Sequence, residues 1–131
     1  PPPPPPPPQT TAPPSSSDRE LLLRLHNDLR AKHSANPLTW DAASRLEAFA
    51  ANWTSGCVFA HSGGSGFGEN LALGYPSWTA AFDAWAAECA QVDFSNPSYS
   101  SATGHCTQLI WKGTTHLGCA KVREVFFLRM V

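Results

Sequence analysis

One stretch constrains this chain more than any other: Gly104-His105-Cys106-Thr107-Gln108-Leu109-Ile110-Trp111. Its alternation predicts a half-buried strand. His105, Thr107, Leu109 and Trp111 would lie on one face, and Cys106, Gln108 and Ile110 on the other. Its β-branched and aromatic content favours a sheet. Yet the stretch opens with an imidazole and carries a thiol and an amide. Polar groups in a buried strand cost free energy unless they find partners, so the rest of the chain must supply them.

The chain has 131 residues, room for one domain. Residues 1–17 read as a Pro/Ser-rich disordered linker, because Pro1 to Pro8 is unbroken proline and favours an extended, solvated rod. Residues 18–131 read as the globule. The net charge of −1 without a basic block points away from nucleic acid and anionic membrane. No apolar run approaches the roughly 18 residues of a bilayer span, so no transmembrane segment is expected. The chain begins at Pro1 and shows no signal peptide, which reads as a processed or fragmentary chain. Four cysteines (Cys57, Cys89, Cys106, Cys119) stand at wide spacing without CxxC pairs, a pattern closer to disulfides than to a zinc knuckle. Asn52-Trp53-Thr54 is an N-glycosylation sequon. Together these features favour a secreted, extracellular protein.

Ser17-Asp18-Arg19-Glu20 matches a capping box, and Leu22, Leu25 and Leu29 follow at helical spacing. A helix is predicted over 18–33. A second, capped by Thr39 or Asp41, is predicted over about 41–54. Residues 61–74 read as a glycine-rich loop. Ser77 caps a third helix, with Trp78, Phe82 and Trp85 on one face and Glu88 on the same side. Residues 91–104 read as a polar loop. Strands follow at 117–122 and 125–131. The layout is α+β, an antiparallel sheet covered by helices.

Four groups can serve the polar end of the central stretch: His61, Glu69, Glu88 and His105. Two imidazoles and two carboxylates in one cleft can hold a divalent metal through nitrogen and oxygen. Alternatively, they form a pH-sensitive polar cluster. His26, between Leu22 and Leu29, reads as a structural histidine. Arg30 reads as securing a helix end, and His33 and His116 as solvated. Trp40, Trp53 and Trp78 read as core or edge aromatics, and Tyr75 and Tyr99 as candidates to line an apolar cavity.

The central stretch resembles the first signature of the CAP superfamily, the cysteine-rich secretory proteins, antigen 5 allergens and plant pathogenesis-related defence proteins. Further motifs stand in order. His26-Asn27-Asp28-Leu29-Arg30 resembles the first-helix motif, and Gly68-Glu69-Asn70-Leu71-Ala72 the glycine–glutamate–asparagine motif. Trp85-Ala86-Ala87-Glu88 resembles the third-helix motif, and Leu117-Gly118-Cys119-Ala120 the second strand. The loop from Asp93 to Tyr99 is most similar to fungal members. The resemblance implies a CAP-type α-β-α sandwich, with His61, Glu69, Glu88 and His105 around one cleft able to take zinc or another divalent cation. It also implies binding of sterols or related small lipids through the 91–103 loop, with Phe94, Asn96, Pro97 and Tyr99 as its candidate residues. The resemblance implies a binding protein rather than an enzyme. Two other functions stay open. One is metal-dependent hydrolysis or proteolysis, with Glu69 or Glu88 as base. The other is a defence or virulence effector acting through an unknown protein partner. Ser65 lacks the GxSxG context of a hydrolase nucleophile.

Two departures from the family pattern carry expectations. Position 106 is usually aromatic, and here it is Cys. Cys89 follows Glu88 as Cys106 follows His105, so an assembled tetrad predicts a Cys89–Cys106 disulfide. Cys57 and Cys119 match a family pair; bridged, they would close a loop of about sixty residues, worth about 4 kcal/mol in the chain-entropy model. The run from Val122 to Val131 does not match the signature expected there. This reads as a C-terminally truncated domain, atypical from about residue 123.

Overall fold

Ser15 opens the first helix, because its hydroxyl accepts a hydrogen bond from the Asp18 amide at 3.2 Å. In the computed structural model, which describes residues 2, 14–41, 45–63, 66–96 and 98–131, α1 runs Ser16–Lys32. It starts two residues ahead of the expected position, and Ser15 rather than Ser17 is the cap. Ser15 is extended and its oxygen reaches the third helical amide, which leaves the Ser17 hydroxyl only a contact with Ser15. Leu22, His26 and Arg30 fall at i, i+4 and i+8 and form the buried stripe.

Thr39–Trp40 is a short strand, β1, not a helix cap. Asp41 accepts from the Leu46 amide at 3.1 Å and leads into α2, Arg45–Thr54. The expected 61–74 loop contains β2, Gly68–Leu73, hidden in the sequence by its glycine-rich approach. Ser77 caps α3, Trp78–Ala87, and a 3-10 turn follows at Glu88–Gln91. The central stretch is a helix, α4, Gly104–Leu109, not a strand. Its alternation is incidental. Cys106 and Leu109, three apart, are both fully buried, which a helix allows and the two-faced strand did not foresee. Strands β3, His116–Val122, and β4, Val125–Met130, close the chain.

The sheet order is β1-β3-β4-β2. It is mixed rather than purely antiparallel: β1 pairs parallel with β3, Thr39 opposite His116. The other pairs are antiparallel. The last strand therefore stands in the middle, and all six of its residues are buried. One face of the sheet packs Leu71, Ala120 and Phe127 against Ala50 of α2. The other packs Phe126, Leu128 and Met130 against α1, α3 and α4. An α+β sandwich of helix, sheet and helix follows from the period-two alternation of β2, β3 and β4.

That alternation also corrects one expected disulfide. Gly118 and Ala120 of β3 face α2, so Cys119 points to the opposite face and is fully buried in the α1/α3 core. Cys57 follows α2, exposed and at φ 56. Both thiols are free. Burial, with the Glu47 carboxylate second, pushes the Cys119 thiol well above its usual pKa. Cys89 and Cys106, in contrast, are joined, with Cα atoms 5.2 Å apart.

Candidate functional site

β2 is an edge strand, and the four tetrad residues straddle it. Glu69 sits opposite Arg129 of β4 on the α2 side. The neighbouring Asn70 points the other way, and its side-chain amide donates to the His105 carbonyl at 3.1 Å. His61 comes from the segment between α2 and β2, Glu88 from the end of α3, and His105 from the start of α4.

The four form two pairs. His61 Nδ1 lies 3.2 Å from Glu69 Oε1, and His105 Nδ1 lies 2.6 Å from Glu88 Oε2. The carboxylates are the buried members: the Glu69 side chain is 8% exposed and Glu88 17%, against 65% for His61 and 40% for His105. Their oxygens are engaged. Glu69 also accepts from the Ser62 amide at 3.0 Å and from the Ser62 hydroxyl, and Arg129 lies 3.9 Å away. Glu88 also accepts from the His105 amide at 3.2 Å, at the N-terminus of α4. Each carboxylate thus engages an imidazole through Nδ1 and not through Nε2, as carboxylates do behind metal-binding histidines.

His61, Glu69 and His105 line one cleft of about 320 Å³, together with Tyr99 and Gln108. Glu88 stands behind His105 and lines a neighbouring cavity of about 350 Å³ with Phe59, Tyr75 and Trp85. Among the described residues, no group of three or more histidine, cysteine and acidic side chains is arranged to hold a metal ion. What the donor set offers a divalent cation is two imidazole nitrogens backed by two carboxylates.

The loop residues expected to take lipid separate. Asp93 Oδ1 accepts from both the Ser95 amide and the Ser95 hydroxyl, which folds the loop into an Asx turn and lowers the Asp93 pKa. The turn sends Phe94 onto His33 at the end of α1, ring centroids 5.1 Å apart. There Phe94 lines an apolar groove of about 580 Å³ with Val92, Ile110 and Trp111. Asn96 lines a small polar cavity of about 160 Å³. Tyr99 belongs to the imidazole cleft. Pro97 lies outside the described residues, as does Ser65. Asn52 of the sequon is exposed on α2, and the Thr54 hydroxyl is buried against the Ala50 carbonyl at 2.8 Å.

The strand reading missed the groove. Thr107, Ile110 and Trp111 border it, and a helical spacing would have grouped Thr107 with Ile110. α4 in fact presents three faces: Cys106 and Leu109 to the core, His105 and Gln108 to the cleft, Thr107 and Ile110 to the groove.

Helix, mixed sheet and helix, with paired His/Glu groups across the edge strand, define a CAP domain. The Cysteine-rich secretory protein family (CAP) pattern matches residues 23–124, and this chain belongs to that family. Secreted protein RBT4 of Candida albicans is 43% identical over 103 residues, 76% of this chain and 28% of its own length. Pathogenesis-related protein 1 of Arabidopsis thaliana is 36% identical over 105 residues, 77% of this chain and 65% of its own length. The chain therefore spans about a quarter of the fungal relative and under two thirds of the plant one. The crystal structure of NaASP2 with Zn2+ superposes with a TM-score of 0.68 at 23% identity, over 95% of this chain and 81% of that one, a likeness of fold. Among the described residues no helix is long and apolar enough to cross a membrane.

Proposed function

We propose that this CAP domain binds a small lipid, with sterols as the leading class, outside the cell. The observation that carries the proposal is the apolar groove at Phe94. Val92, Phe94, Ile110 and Trp111 give it an apolar wall, and Trp111 and Phe94 stand 63% and 53% exposed, Phe94 with its ring stacked on His33. A hydrocarbon entering the groove removes apolar surface from water at about 25 cal/mol per Å². His33, Thr107 and Lys112 at the groove supply the few polar groups that orient a hydroxyl. An extracellular setting is supported by the Cys89–Cys106 bond, the exposed sequon asparagine and the secreted fungal relative.

Zinc or a similar divalent ion would be held by Nε2 of His61 and His105. The carboxylates stand on the Nδ1 side of the two imidazoles and fit as orienting groups. A bound ion would supply Lewis acidity and leave coordination positions for water or a ligand oxygen.

The test is sterol binding by the purified glycosylated protein, with and without chelator. Phe94→Ala and Trp111→Ala are each expected to weaken binding at least about tenfold. No binding by the parent, or parental affinity in both variants, would count against the proposal.

A further inference from the structure

α4 walls both the imidazole cleft and the apolar groove, yet it has little helical stability of its own. It is six residues long, and its N-cap Thr103 makes no side-chain capping bond. A helix that short does not persist in water by itself. Its position is set from outside. Leu109 is buried in the core, and Arg30 donates to the Leu109 carbonyl at 2.9 Å, which holds the C-terminal end. At the other end two links run side by side to the 3-10 turn after α3. One is the Glu88–His105 pair, and the other is the Cys89–Cys106 bond, one residue further along in each element.

We infer that the Cys89–Cys106 disulfide is a positioning element for both cavities. It sets the rotation of α4, so that His105 lines the cleft while Thr107, and Ile110 at the helix C-cap, line the groove. Without the bond, the N-terminal end of α4 is held by hydrogen bonds only, to the Glu88 carboxylate and from the Asn70 amide to the His105 carbonyl, at a helix end where the His105 ring is 40% exposed to water. A rotation of one residue, about 100°, would carry His105 out of the cleft. The inference rests on the proposed ligands for its affinity readout, and on nothing but the fold for its exchange readout.

The experiment uses the full chain with the exposed Cys57 replaced by Ser. Hydrogen exchange of residues 104–110 is compared between the oxidised protein, the Cys89→Ala/Cys106→Ala variant, and the oxidised protein treated with dithiothreitol. Cys106 is fully buried and Cys89 partly exposed, so the reductant's thiolate attacks the Cys89 sulfur. The two cysteines become thiols as dithiothreitol closes to its cyclic disulfide. Exchange in α4 is expected to accelerate at least about tenfold while β3 and β4 keep their protection. Affinities for zinc and for the sterol probe should fall together by a similar factor. Unchanged exchange in α4 overturns the inference. So does loss of protection throughout the sheet on reduction, because the bond would then be a general staple. If the parent binds neither probe, the proposed function fails while the exchange readout still decides this inference.

Discussion

His26 and His105 carry the same ring into opposite surroundings. His26 is fully buried on α1, its Nδ1 2.6 Å from the Leu22 carbonyl and its ring against Phe82. Nε2 has no partner. Burial pulls its pKa from 6.5 down to about 4, against the raising effect of the Leu22 carbonyl. The unfolded chain takes up a proton below about pH 6.5 that the folded chain refuses. The neutral ring's stabilising contribution is therefore complete above that pH and is lost as pH falls toward the folded value. The loss amounts to about 3 kcal/mol. Urea unfolding at neutral pH and at about pH 4.5 should show it, and His26→Leu should remove most of this dependence. The same slope in both proteins would sink the assignment. Arg30, four residues on, is fully buried and donates to the Asn36, Leu109, Trp111 and Thr114 carbonyls. Spacing identified both residues as structural. It could not name Arg30's acceptors, which lie up to 84 residues away.

At the scale of elements, the misreading of α4 has a physical cause. Thr107, Ile110 and Trp111 favour strands, but the segment adds to neither edge of the sheet, β1 or β2. The sheet is completed by β2, which the glycines around it concealed. The helix is selected by contacts outside itself, from Cys89, Glu88, Arg30 and the core around Leu109. The α2–β3 contact depends on a missing side chain. A Cβ at Gly118 would stand 2.5 Å from the Glu47 backbone nitrogen and 2.6 Å from the Leu46 Cβ. Gly118→Ala must therefore push α2 off the sheet, at a cost of about 1–3 kcal/mol typical of overpacking. A drop in the urea midpoint is expected, and a midpoint equal to the parent's would show that α2 can shift freely. Here the sequence motif marked the glycine, and only the packing explained it.

For the whole molecule, the consequential fact is that the last strand is central. β4 pairs with β2 through Glu69 and Arg129 and with β3 through Gly118 and Arg129. The family match stops at residue 124, just before it. A chain ending at 124 would leave β2 unpaired and β3 with only the two-residue β1 beside it, and would expose Leu71, Cys119 and Ala120. Such a chain is expected to show no cooperative urea transition and no near-ultraviolet signature of packed Trp85. A cooperative transition would mean that β2 and β3 pair directly without β4. Most helices, the two late strands and the Ser77 cap were legible because each rests on signals within about a dozen residues, whereas the His/Glu groups, far apart in the chain, were gathered only through the family resemblance. The sequence by itself determined the amphipathic faces, the α+β composition and the identity of the His/Glu groups. Tertiary structure alone decided that α4 is a helix, that Cys119 turns away from Cys57, and that Phe94 and Tyr99 serve different cavities. Those outcomes depend on strand order and on which face of the sheet a side chain meets. Both are settled by contacts between segments far apart in the chain, where local propensity carries no information.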